Sequence, residues 1–342
     1  MEQITHNNHY VPQLYLKNWG DFQNKVWQYR LLVPHKNFDV WKLKPVVSTA
    51  SQNDLYTYFR SGKETDQFEK WFNQEVEIPV QDVLFKVINN IKLNSGDIQT
   101  ITRFLASQYV RTPARLNRQL RFYNNVLPDL FESNIRNTLS ELEENLRSGK
   151  PILQKQYEEI YNLVPAQIKI SEQENGKSLL NYNVLIGRGI WLFEIKHVVL
   201  NTSKVLLNHH WEVIRASKGM HWCTSDDPVI CSNFYEDNTY DFKGGWKRKG
   251  SEIIFPLSPY HILYTQVGDY NDHPSLQQNP IFSYYVQKLI IDHAHRFVYS
   301  ASPLQDIESC RGRLINAKLF NEEREIWKNW HQEQSVAEIQ FL

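Results

Sequence analysis

The apolar residues of this chain change period once, and that change constrains the fold more than any other feature. From Asp66 to Leu146 they recur at three- and four-residue intervals, the spacing of helices with one buried face. Phe68, Trp71 and Phe72 share one side, and Val80, Leu84, Val87, Ile88 and Ile91 continue it beyond Pro79, a residue suited to a helix start. Ser95-Gly96-Asp97 opens a second long helix that a step at Pro113 should bend. Ile135, Leu139, Leu142 and Leu146 mark a third helix, ending at the stop signal Gly149-Lys150-Pro151. One more apolar helical stretch covers residues 180–208. From His210 onward the period is two. HWEVIRA and HWCTSDDPVI read as strands around a SKGM turn, and SEIIFPLSP and YHILYTQV as two more. The helix IFSYYVQKLIIDHAH, with Phe282, Val286, Leu289 and Ile290 on its apolar side, and the strand RFVYSAS close the pattern.

Short β-branched and aromatic runs within residues 10–60 add a few strands. Blocks of helices followed by blocks of strands predict an α+β fold: a helical middle, short N-terminal strands and a mainly antiparallel sheet from the C-terminal half. We expect one domain over residues 1–342, with a possible subdomain boundary in the polar loop 171–177, between 1–170 and 178–342. Lys plus Arg (38) balances Asp plus Glu (38), which removes the simplest argument for a nucleic-acid or membrane-surface protein. No apolar run approaches the ~20 residues of a membrane span. The first residues carry no signal-like pattern, and three cysteines without a CxxC fit a reducing compartment, so the expected location is cytoplasmic and no membrane partner is expected.

The segment NNHYVPQLYLKNW, residues 7–19, places His9, Tyr10, Tyr15 and Trp19 where chains usually fray. The three rings should bury and pin the arm; His9 is either a base or ligand, or a packed histidine bonded to a carbonyl. On the Pro113 helix, Phe104, Gln108, Arg111 and Arg115 fall within a stripe of roughly 60°, beside that of Ile101, Leu105 and Leu116. An arginine there needs a partner. It grips a phosphate or carboxylate with Gln108 orienting the same group, or it pairs with Glu69, Glu75 or Glu77 and locks two helices together. In TSDDPV, Asp226 is a carboxylate leaving a strand end, a rigid support for a ligand or base, while Ser225 or Asp226 could equally cap a turn. The pair His209-His210 and the run Asp292-His293-Ala294-His295 offer ligand types without a recognised metal spacing. The loop FKGGWKRKG presents Lys247 and Arg248 as a phosphate or single-strand contact, or as a solvated surface. Nucleotide-binding and hydrolase fingerprints such as GxxxxGK[ST], GxGxxG and GxSxG are missing.

Taken in order, HYVPQLYLKNW, DLYTY, EKWFNQEVE, FLASQYVRTPAR, WEVIRAS, TSDDPV, IIFPLSP and RFVYS resemble the uncharacterised bacterial family catalogued as domain of unknown function 4238, from about residue 8 to residue 301. By position the resemblance carries over His9, Glu69, Gln108, Arg111, Ser225, Asp226 and Pro228. Asp227 stands where the pattern varies, the second glutamate is Glu75 or Glu77, and DHAH lacks an asparagine expected before the closing strand. The resemblance implies a role in bacterial anti-phage defence and supplies no reaction. The expected function is an effector enzyme acting on a phosphate ester, nuclease-like. The catalytic set would be His9, Gln108, Arg111 and Asp226: Asp226 with Glu69 or Glu77 would hold a divalent metal, His9 would move a proton, and Arg111 would steady the developing phosphate charge, while Arg115, Ser225, Lys247 and Arg248 would bind substrate. The alternative is a non-catalytic sensor of a defence system that captures a phage protein or a nucleotide; the partners expected are a nucleic acid or a phage component. A third reading makes Arg111 and Asp226 purely architectural.

Overall fold

The computed structural model describes residues 4–60, 62–151, 166–172, 178–236, 239–305 and 307–341. It is an α+β protein with a helical middle and several antiparallel sheets. The acidic helix runs through Gln67–Phe72, a π turn at Asn73–Glu77, and Ile78–Ile88. Pro79 sits in the first turn of that last section, where its missing N–H costs nothing. Phe68, Phe72, Val76, Val80, Val83, Leu84 and Val87 form its buried face, while Ile88 and Ile91, expected on that face, are exposed.

The central helix, Ser95–Val110, starts at a reciprocal cap: the Asn94 side chain accepts from the Asp97 N–H (2.9 Å) and the Asp97 carboxylate from the Asn94 N–H (2.9 Å). The expected bend at Pro113 is a full break. Thr112 is extended (φ −83°, ψ 151°), as a residue before proline prefers, and its side chain caps a new helix, Pro113–Ser148. That helix continues through Pro128, so the third helix of the sequence reading is its second half. It ends at Gly149 in the left-handed region (φ 67°), as the stop signal indicates.

Residues 180–184 correct the sequence reading: they belong to a hairpin of Ala166–Glu172 and Ser178–Val184, and the helix begins only at Arg188, running to Leu200. Of the proposed boundary loop, Ser171 and Glu172 end a strand and residues 173–177 lie outside the described residues. The five-stranded antiparallel sheet has the order Glu212–Arg215, His261–Gln266, Glu252–Ser258, Ile230–Phe234, Tyr240–Asp241. A four-stranded sheet joins the two ends of the chain: Thr224–Ser225, Phe297–Ser300, Lys25–Arg30 and Trp41–Pro45. The expected strand pair around SKGM is therefore split between two sheets. Beyond the closing strand, Leu314–Ile315 pairs parallel with Leu32–Val33 and leads into a C-terminal helix, Ala317–Phe341, absent from the sequence reading.

The N-terminal segment is held as its aromatic content suggests. Asn7–His9 pairs with Ser51–Asn53, and Tyr10, Val11, Tyr15, Leu16 and Trp19 are buried in the larger core. The Tyr15 hydroxyl donates to the Pro256 carbonyl (2.7 Å) and its ring stacks on Phe255, while the Trp19 indole donates to the Trp222 carbonyl (2.8 Å). Buried polar handles satisfied in this way fix the direction of entry as well as the depth. The segment thereby brings His9 against the end of the central helix and Tyr10 beside the four-stranded sheet.

Candidate functional site

Arg111 ends the central helix and is fully buried. Its Nη1 bonds Glu77 (2.8 Å), Nη2 donates to the His9 backbone carbonyl, Nε reaches the Tyr56 hydroxyl (3.4 Å), and the guanidinium lies 4.2 Å from the Phe72 ring centroid. The glutamate left open at 75 or 77 is therefore Glu77 for this contact; Glu75 pairs with Arg103 (3.0 Å). Burial pushes the Glu69 carboxyl up to about 7 against the pull of Arg111, and its Oε2 has no hydrogen-bond partner. His9 is 7% exposed, its Nε2 donates to the Val47 carbonyl (3.1 Å), and burial lowers its pKa, so the ring is neutral at pH 7. His9, Arg111 and Glu77 thus meet as one cluster, joined through the backbone of His9.

Asp226 has other partners. Its Oδ1 accepts from the His295 N–H (2.9 Å) and its Oδ2 from the Arg296 N–H (2.8 Å), both at the start of the strand that pairs with Thr224–Ser225. Burial raises its pKa to about 7, opposed by those backbone donors and reinforced by Asp227. Ser225 caps the turn by accepting from the Asp227 N–H (3.2 Å). Asp227 joins the two motif segments: it accepts from Thr112 Oγ1 (3.0 Å) and from Arg118 (2.6 Å), with His293 Nε2 at 3.8 Å. The RTP and SDDP segments do meet, through Thr112 and Asp227, while Asp226 and Arg111 face different surroundings. Among the described residues, Glu69, Glu77 and Asp226 do not gather their oxygens into one ligand group.

Asp226 lines a cavity of about 340 Å³, within the size range of small-ligand sites. Tyr10, Pro113, His295 and Phe297 come from the segments already described; Arg30 comes from a strand, and Glu323, Arg324, Trp327 and Lys328 from the C-terminal helix. Arg296 is tied to Glu323 (2.5 Å) and Lys328 to Glu325 (3.5 Å). Arg30 makes no ion pair among the described residues; its guanidinium lies 4.3 Å from the Phe320 ring centroid and its buried Nε has no partner. The His295 imidazole is held down to about 4 by burial and nearby arginines, hence uncharged.

The other predicted residues sit apart. Gln108 is buried beside Ser107 with its Oε1 unpartnered; Arg115 lies over the Tyr109 ring and 3.7 Å from Glu194. Lys247 and Arg248 belong to an exposed loop around buried Trp246. Sequence reasoning missed Arg30, Arg296, Arg324, Trp327 and Lys328; Arg296 opens the RFVYS segment without a role assigned to it, and for the others the one local signal was Arg30 ending the run KVWQYR, where a charge at the strand end must find an outlet.

A family model described as "protein of unknown function (DUF4238)" matches residues 7–303. No curated protein and no solved structure matches the chain.

Proposed function

Since the chain belongs to the DUF4238 family, whose description states no activity, we propose that it is a bacterial anti-phage defence effector, the role the family resemblance implies, and, from the chemistry of the Asp226 cavity, that it acts on a phosphate ester. The observation that carries this reading is Arg30: a cation in the cavity wall that makes no ion pair among the described residues. A phosphate in the cavity would accept from its guanidinium. Arg324 and Lys328 add positive charge at the rim, and Trp327 and Phe297 add apolar wall for the organic part of the ester. Asp226, with a pKa near neutrality, protonates the leaving oxygen or takes the proton of attacking water. In this arrangement the arginines meet the phosphate charge that the sequence reading gave to Arg111 and a Glu69, Glu77 and Asp226 metal.

Non-catalytic capture of a nucleotide or phage component in the same cavity is the second reading. It is favoured by both Asp226 oxygens already accepting backbone N–H bonds, which holds the carboxyl against the strand.

The test compares Arg324→Ala, Lys328→Ala and Asp226→Asn with the parent in phage-plaque protection, thermal melting, and binding and turnover of nucleotides and short single strands. The enzyme reading expects the two rim variants to lose protection and binding at unchanged melting, and Asp226→Asn to bind without turnover. Binding with no product from the parent would move the assignment to capture. Protection untouched by all three would reject the cavity.

A further inference from the structure

A second group of ligating side chains lies outside this cavity, at the edge strand of the five-stranded sheet. Along His210-Trp211-Glu212 the extended chain alternates its side chains: Trp211 turns inward, 9% exposed, with its indole donating to the Leu206 carbonyl (2.7 Å), and His210 and Glu212 project together on the opposite side. The loop after the neighbouring strand His261–Gln266, turned at Gly268 (φ 84°), returns Asp272 to the same place. One ligating atom from each of His210, Glu212 and Asp272 lies within 4.8 Å of the others, and His210 Nε2 already contacts Asp272 Oδ1 at 2.8 Å.

Glu212 is oriented from behind. His273 bonds it through its ring Nδ1 (2.6 Å) and its backbone N–H (3.1 Å), and the far ring nitrogen of His273 reaches Asp269 (3.3 Å). Hydrogen bonds of this kind to a carboxylate fix its geometry, as outer-shell partners do for ligating carboxylates at metal centres. His210 and Asp272 also face an open cleft of about 660 Å³, into which Lys92 and Arg215 project as well.

We propose that His210, Glu212 and Asp272 bind one divalent transition-metal ion, with the remaining coordination positions held by water and open to the cleft. One imidazole nitrogen and two carboxylate oxygens suit Mn²⁺, Co²⁺ or Zn²⁺; the nitrogen disfavours the hard ions Mg²⁺ and Ca²⁺. A His210–Asp272 ion pair with no other role would show none of this selectivity.

The experiment is titration of the metal-stripped, tag-free full chain with Mn²⁺, Co²⁺, Zn²⁺ and Mg²⁺, followed by calorimetry and, for Co²⁺, by visible absorption. One equivalent should bind, with Co²⁺ bands of nitrogen and oxygen coordination. His210→Ala and Asp272→Asn should each weaken binding by at least about tenfold with melting of the metal-free protein unchanged, and His273→Ala by a smaller factor. Absence of saturable binding, preference for Mg²⁺, or affinity unchanged in His210→Ala would overturn the assignment, and none of these readouts depends on turnover at Asp226.

Discussion

Arg111 is a motif residue whose donors and ring face are all used inside the protein, by Glu77, the His9 carbonyl, Tyr56 and Phe72. Removing it strands Glu77 beside Glu69 in a buried setting, so Arg111→Ala should cost about 3–5 kcal/mol in denaturant unfolding. Protection lost at full stability in that variant would return Arg111 to the list of acting residues. Asp226 makes a prediction of opposite character. Its carboxyl lies near 3.8 in the unfolded chain and near 7 when buried, so the fold binds its proton more tightly. The resulting stabilisation, on the order of a few kcal/mol, is complete below the unfolded value and is lost as pH rises through about 7. Glu69, also raised to about 7 by burial, contributes with the same sign. Melting midpoints of Asp226→Asn should therefore fall less steeply than those of the parent between these two pH values; identical slopes would show that the carboxyl is ionised throughout.

At the scale of elements, the helices legible in the sequence are those that bury one face, because burial imposes the three- and four-residue period. Pro113 was legible as a disturbance, but its strength depended on Thr112 finding both the Arg115 N–H and Asp227, a partner on a distant strand. Residues 180–184 read as helix because the apolar run Val184-Leu185-Ile186 with Leu180 has no decisive period. The C-terminal helix escaped for another reason: its main anchors are polar. Glu338 grips fully buried Arg188 at 2.6 Å, Gln334 accepts from the Arg188 N–H (2.7 Å), and His331 bonds Glu64 (2.9 Å). This helix supplies Glu323, Arg324, Trp327 and Lys328 to the cavity, and it lies beyond the 7–303 span of the family match. Glu338→Ala, by leaving Arg188 buried without its carboxylate, should destabilise by about 3–5 kcal/mol. Faster hydrogen exchange across Ala317–Phe341 and weaker phosphate-ligand binding should accompany the loss; normal exchange there would mean that the apolar contacts alone hold the helix.

Across the whole molecule, the meeting of the N-terminal arm, the RTP turn and the SDDP turn was legible as an ordered set of motifs, while the cations facing Asp226 were not. Arg30 reaches the cavity through a sheet that pairs the first strands with the closing one, and no local pattern encodes such long-range pairing. The same separation governs how the protein should meet a polyanion. With Lys plus Arg equal to Asp plus Glu, no net field draws nucleic acid from a distance, so the proposed phosphate binding should depend on the local cations Arg30, Arg324 and Lys328. One or two neutralised phosphates give a slope of log affinity against log salt of about −0.7 to −1.4 for a single strand. A cavity of about 340 Å³ admits little more than one nucleotide, so lengthening the strand should leave affinity unchanged within a factor of about two or three. Fluorescence titration of single strands of increasing length over a range of salt concentrations measures both quantities. Affinity that climbs with length, with a slope steeper than about −5, would mean that the ligand extends over the surface; Lys247 and Arg248 would then be the first substitutions to make.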